Sequence, residues 1–396
     1  MIVREPTIEL GDDEAVIVAQ VESEKDKFKP ADLRIGVDPQ YAQWLDRSAT
    51  PFAPVAGAIA SAFGEDVRFE APVSEELLRG AEAANRKFAE WWGYRAARLE
   101  APELGPEARG AAVGALFSGG MDTSATIVRS LRGQTPDRVT HLLSVYGSEW
   151  KLSTATHDVI WRDIVAAADE YELPLIRLTT NAHELLRGRF GWPRSHGASY
   201  ASVALSLGPL FGSVMFGASQ RPDEPRGNGS RADLIPLWST GRTAVRVDAA
   251  ELGKLGRAAV VADDPIALAH LKVCWVRDGP RNCGHCEKCL RTMTCLAVAG
   301  ALERTDRFDA PLTLEAIAAV PPSRNSVPHI RELVEDMPNS HDELRDAWSQ
   351  KLREARAVER AERRRKALAP LRKRWRRLRR RSRRRLRRAR HRLRAR

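Results

Sequence analysis

From residue 111 onward, apolar strand-like runs alternate with amphipathic helical stretches, and this alternation leaves few folds open. AAVGALF (111–117) is a continuous apolar run, as expected of a strand buried on both faces. A glycine turn and a helix through about residue 132 follow it. HLLSVYG (141–147) predicts a second strand. Residues 154–171 predict a helix, with Val159, Ile160, Ile164, Ala167 and Ala168 on one face. PLIRLTT (174–180) reads as a third strand, 197–211 as a helix, and SVMFGAS (213–219) as a fourth strand. The order predicts an α/β fold: a parallel sheet with helices on both faces.

The first of these strands runs into Phe117-Ser118-Gly119-Gly120-Met121-Asp122-Thr123-Ser124. Two glycines allow a sharp turn and leave backbone N–H groups unobstructed. Ser118, Thr123 and Ser124 add hydroxyls, and the N-terminus of the following helix adds a positive dipole end. The turn therefore suits an anion such as pyrophosphate. Asp122 would repel a bare phosphate, so its presence predicts a bridging Mg²⁺. Neither the GxxxxGK[ST] spacing nor GxGxxG is present.

Cys274, Cys283, Cys286 and Cys289 follow a C-x8-C-x2-C-x2-C pattern. Four thiolates on so short a segment suit a structural Zn²⁺. An iron–sulfur cluster is the competing reading, although the x3-Cys-Pro step of ferredoxin-type motifs is missing. Cys295 lies outside the pattern and reads as a small core residue. His285 is dispensable as a ligand if all four thiols bind.

The formal net charge of +12 hides two objects. Residues 351–396 carry 25 Lys+Arg against Glu354, Glu359 and Glu362, so +12 splits into a tail of +22 and a body of −10. Leu371, Trp375, Leu378, Leu386, Ala389 and Leu393 would share one helical face among arginines. Such a tail suits an anionic membrane surface or RNA. Residues 1–105 mix short strands (TIEL, EAVIVAQV, DLRIGV) with a helix over 74–98 that Ser74 would cap, and show no functional motif. Residues 311–336 read as helical, and Ser340 with Glu343 as a capping box opening the tail helix. No run reaches membrane-spanning length, and the N-terminus lacks a signal-peptide stretch, so a cytoplasmic location is expected, peripheral at a membrane if the tail binds one.

The SGGMDTS turn resembles the SGGxD[ST] loop of the PP-loop ATP pyrophosphatases. Combined with NCGHCEKCLRT (282–292), it resembles the 7-cyano-7-deazaguanine synthase family within that group, over about residues 111–300. The resemblance implies a Rossmann-like nucleotide domain over 106–300 with a zinc knuckle at 274–289. An N-terminal α+β extension (1–105), a helical extension (301–338) and a basic helical or disordered tail (339–396) would flank it. It implies ATP and Mg²⁺ as cofactors with structural Zn²⁺. The expected reaction is adenylation of a carboxylate or amide oxygen with pyrophosphate release, then nitrogen transfer with AMP release. Asp122 and Ser118 would be catalytic. Gly119, Gly120, Met121, Thr123 and Ser124 would hold the nucleotide with Val145, Tyr146, Gly147 and Gly217.

Ala218 and Ser219 would face the acceptor. Arg221, Asp223, Glu224, Lys254, Lys272, Lys288 and Arg291 are the charged candidates for phosphate or acceptor, and Tyr146 and His196 are further polar candidates. Residues 220–233 read as a mobile loop beside them. With Met1-Ile2-Val3 at the start and no glutaminase cysteine there, ammonia or a separate amidotransferase would supply the nitrogen. Two alternatives stay open: a tRNA-modifying transferase of the same type, and a nucleotide-binding scaffold with a polyanion-binding tail.

Overall fold

The computed structural model describes residues 1–396 except 106, 148–152, 187–189, 275, 277–278 and 366–396. The apolar face predicted for 371–393 lies outside the described residues. The chain divides into two compact units, Met1–Leu312 and Thr313–Arg396.

The first unit is built on one 11-stranded, mostly parallel sheet. Its N-terminal part contains β1 (Ile2–Val3), β2 (Thr7–Leu10), β3 (Ala15–Glu22), β4 (Ala31–Val37), α1 (Ala53–Phe63), β5 (Val67–Phe69), α2 (Glu75–Trp92) and β6 (Leu99–Glu100). The alternating part contains β7 (Ala112–Leu116), α3 (Met121–Leu131), β8 (His141–Val145), α4 (Thr154–Glu170), β9 (Leu175–Thr180), α5 (Ala182–Leu186), α6 (Trp192–Leu205) and β10 (Phe211–Gly217). Then come β11 (Ala244–Asp248), α7 (Lys254–Ala262), α8 (Pro265–Ala269) and α9 (Glu287–Val298).

The four strands expected from the sequence, β7 to β10, are all present and parallel, in the order β9-β8-β7-β10, and β11 adds a fifth beyond β10. Side-chain alternation explains the helices on both sides. Leu116, Leu143, Ile176, Val214 and Phe216 join one apolar cluster with α1, α2 and α6. Their neighbours Ala115, Phe117, Leu142 and Met215 join a second with Ile127 of α3 and Ile164 of α4. Strands buried on both faces need apolar residues at both parities, which is why AAVGALF is unbroken.

Residues 1–105 do form α+β elements, and their strands continue the same sheet. β4 pairs antiparallel with β9, Val37 opposite Leu178, and β3, β1, β5 and β6 follow outward. The N-terminal strands thus join the parallel strands edge to edge through the antiparallel β4–β9 pair.

Several boundaries differ from expectation for local reasons. The helix begun after Ser74 stops at Trp92, where Gly93 takes a left-handed φ of 71°. The helix expected over 197–211 is α6, set early by Pro193 in its first turn. The stretch 311–336 in the second unit is two helices, α10 (Leu314–Ala319) and α11 (Val327–Asp336), because Pro321 and Pro322 cannot continue the first. A last helix covers 342–365, with Trp348 fully buried and the Lys351 ammonium donating to the Val320 carbonyl at 2.8 Å. Ser340 does not form the expected capping box; it lies in a tight turn, Asn339–His341, its hydroxyl 3.0 Å from the His341 ring. Among the described residues no helix is long and apolar enough to cross a membrane.

Candidate functional site

Chain order reverses between β7 and β10. In open parallel sheets, ligands bind in the crevice at the carboxyl ends of strands beside such a reversal. The Ser118–Gly120 turn lies there, after β7, and Gly217 ends β10 next to it. A Cβ on Gly217 would stand 2.6 Å from the Asp122 carbonyl oxygen, so only glycine lets the two elements meet. Gly119 has φ +67°, the left-handed conformation that disfavours any side chain.

Thr123 closes the turn. Its hydroxyl accepts from the Ser118 N–H at 3.3 Å and donates to the Gly120 carbonyl at 3.1 Å. The first N–H to bond back within α3 is that of Ser124, to the Gly120 carbonyl at 2.9 Å. The amides before it lack a helical acceptor and form the positive end of α3. Met121 and Ser124 are buried, so of the turn's hydroxyls Ser118 is the one presented at the surface.

Asp122 sits in a cluster of cations. The Lys254 ammonium donates to its two oxygens at 2.6 and 2.7 Å, and the Arg257 Nε lies 3.0 Å from Oδ1. Lys254 opens α7 and Arg257 follows one turn later; α7 packs on both α3 and α9. Arg257 is 0% exposed and also donates to the Ala249 and Leu252 carbonyls, which fixes its guanidinium from behind. Burial alone would raise the Asp122 pKa, but Lys254, Arg257 and then Lys288 of α9 push it down to about 2. Burial also lowers the Lys254 pKa, and Arg257 and Arg291 lower it further against the pull of Asp122. These like charges crowd one place.

This arrangement does not fit a Mg²⁺ held on Asp122. Both carboxylate oxygens are taken by Lys254, one also by Arg257, and an ion would have to displace them. Asp122 is a counter-charge to the cluster. Of the charged candidates, Lys254, Lys288 and Arg291 meet here; Arg257, which carries no motif, has as its only sequence signal its place one turn after Lys254.

The four cysteines converge. Their sulfur atoms all lie within 4.8 Å of one another, with Cys283 and Cys289 Sγ 3.7 Å apart. A tetrahedral ion about 2.3 Å from each thiolate puts sulfurs about 3.8 Å apart, so one Zn²⁺ fits the group. An iron–sulfur cage would need its outer thiolates farther apart. The Cys286 N–H donates to Cys283 Sγ, and Cys286 Sγ in turn caps α9 by accepting from the Cys289 N–H at 3.5 Å. His285 turns its ring to the Cys283 carbonyl, 2.8 Å away, and Cys295 lies in the buried interior of α9.

Asn282, which nothing in the spacing flagged, organises the knuckle. It is fully buried; its Oδ1 accepts from the Val273 and Cys274 N–H groups and its Nδ2 donates to the Leu271 carbonyl. The Lys272 ammonium faces the knuckle, donating to the Gly279 and Arg281 carbonyls at 2.7 and 3.0 Å.

Val145 ends β8. The Tyr146 N–H is committed to the Leu178 carbonyl, its hydroxyl donates to Asp158, and Arg177 lies 4.2 Å from its ring centroid. Gly147 adopts φ +74°. The 220–233 segment is a loop with contacts along its length. Ser219 and Ser230 hydroxyls meet at 2.7 Å, the Gly229 N–H donates to the Pro193 carbonyl, and Gly227 presses on Trp91 of α2. Arg221 pairs with Asp223, and the Glu224 carboxylate accepts from the Arg226 N–H. His196 is buried in α6 against the Trp192 carbonyl, and burial lowers its pKa. The described contacts of Tyr146 and His196 are made outside the Asp122 cluster.

No protein-family model, curated protein or solved structure matches the chain.

Proposed function

We propose that this chain is an ATP-dependent adenylating enzyme of the PP-loop pyrophosphatase type, with a Rossmann-like nucleotide domain at its centre. The supporting observation is the Gly119–Gly120 turn at the sheet's reversal point with a cation cluster around Asp122 beside it. A nucleotide's phosphates would lie over the turn, accepting from amides at the positive end of α3 and from the Ser118 hydroxyl.

An oxygen of a small carboxylate attacks the α-phosphorus. The bond from that phosphorus to its bridging oxygen breaks, and pyrophosphate leaves with the electron pair. Lys254 and Arg257 stabilise the charge that builds on the leaving group. Asp122 stays ionised at neutral pH and acts as a positioning residue that aims both cations. A nitrogen nucleophile then attacks the acyl carbon, AMP departs, and the nitrogen gives up a proton. The thiol knuckle takes no part in this chemistry.

Purified protein supplied with ATP, ammonia and a panel of carboxylate metabolites should release AMP and pyrophosphate in a substrate-dependent way, followed by phosphorus NMR. Asp122→Ala should reduce that release at least a hundredfold. ADP and phosphate as the products would overturn the reading. The tail of +22 favours a second reading, in which the acceptor is tRNA. Turnover that requires RNA, and falls steeply with salt, would select it.

A further inference from the structure

The thiol knuckle and the Asp122 cluster are built from shared pieces of chain. Two residues before Cys274, the Lys272 N–H donates to the Gly119 carbonyl at 2.8 Å, so the segment entering the knuckle is hydrogen-bonded to the glycine turn. A Cβ on Gly119 would stand 3.2 Å from the His270 carbonyl on that same segment. On the far side, Cys286 caps α9, and the first turns of α9 carry Lys288 and Arg291. Arg291 is buried and held by Glu287 one turn earlier, while α9 packs on α7, which carries Lys254 and Arg257. Lys288 and Arg291 also act electrostatically on Asp122 and Lys254 respectively.

We propose that the metal held by the four cysteines sets the phosphate affinity of the crevice, by fixing α9 so that Lys288 and Arg291 complete the cation cluster. This rests on reading the cluster as a phosphate site. It gives the knuckle a task beyond closing a surface loop. Without the ion, the Cys286 thiol competes for partners among four close sulfurs, the α9 cap loosens, and the two cations lose their fixed distance from Asp122. The coupling is reciprocal by necessity: an anion bound beside Lys288 and Arg291 must tighten the metal by the same factor.

The test is inorganic pyrophosphate binding by titration calorimetry on full-length protein in three states: zinc-loaded, chelator-stripped and reloaded. Stripping should weaken pyrophosphate binding at least tenfold and reloading should restore it. The loaded double variant Lys288→Gln, Arg291→Gln should keep its zinc, bind pyrophosphate at least tenfold more weakly, and show less than a twofold further change on stripping. If stripping unfolds the protein, cobalt-substituted protein decides. Pyrophosphate should shift the cobalt–thiolate absorption of the wild type and leave that of the double variant unchanged. Equal affinity within twofold for stripped and loaded wild type, or an unmoved cobalt spectrum, overturns the coupling while leaving the phosphate site standing. Absence of pyrophosphate binding by the loaded wild type overturns both.

Discussion

The two clusters of this molecule are assembled in opposite ways. The thiol group draws every member from one segment, Cys274 to Cys289. The cation cluster gathers Asp122 from α3, Lys254 and Arg257 from α7, and Lys288 and Arg291 from α9. A metal site made from one segment is visible as spacing, because four thiols a few residues apart can be brought together by turns alone. A charge cluster made from three helices is visible only once the helices are packed. The difference also bears on stability. The knuckle depends on an ion and can form locally, whereas the Asp122 cluster depends on the whole sheet to bring its charges into register.

The largest effect that would break this contrast is expected at Cys289. Its side chain is fully buried among the other sulfurs. Cys289→Ser should cut zinc content per chain to below half and remove several kcal/mol of stability, since ligation energy is folding energy in such sites. Cys295→Ser, farther along α9 and outside the ligand set, should keep its zinc and cost about 1 kcal/mol. Metal analysis with urea melts measures both. Zinc loss in both variants would mean that the metal group is not confined to the four-cysteine segment.

Next in size is Asp122→Asn. It leaves Lys254, and Arg257 at 0% exposure, without their carboxylate, so about 3 kcal/mol should be lost with zinc content unchanged. The pH dependence follows from the sign of the shift. The Asp122 pKa is lowered to about 2 in the folded protein, against about 3.9 in an unfolded chain. Its contribution is therefore fully present above about pH 4 and is lost as pH falls from there through 2. The stability gap between wild type and variant should be flat from pH 8 to 5 and should shrink only below about 4. Thiolates lose their metal at milder acidity, so zinc release should precede the closing of that gap. A gap that closes together with zinc release would show that the two clusters do not titrate separately.

Much of the first unit was legible because its signals are local. Unbroken apolar runs marked β7 to β10, and Gly119-Gly120 followed by Asp122 marked the turn. What escaped was short or carried mixed signals. The run TAVRVD around β11 is only half-buried on one face, and LGKLGRAAVV around α7 opens with two glycines, which weakens any helical pattern. Losing α7 meant losing Arg257. Thr123 and Ser124 read alike in the sequence, yet the Thr123 hydroxyl bonds within the turn and Ser124 is buried. Hydroxyl count cannot tell a turn-closing Thr from a ligand-facing one. Asn282 illustrates the same limit: its three hydrogen bonds exist only after residues 271–274 fold back over it.

The smallest predicted effect separates backbone conformation from close approach. Gly119 and Gly64 share nearly the same left-handed geometry, φ +67° and +72°. An added methyl at Gly64, which caps α1, meets nothing within 4 Å. At Gly119 it meets the His270 carbonyl at 3.2 Å, on the segment that leads to Cys274. Gly64→Ala should therefore cost about 1 kcal/mol, for the conformation alone. Gly119→Ala should cost about as much again for the contact, read from paired urea melts. It should also weaken pyrophosphate binding, because relief of the contact must move either the turn or the segment hydrogen-bonded to it. Equal costs at both glycines would show that the segment entering the knuckle yields freely, and that the glycine turn holds its shape without help from the thiol side.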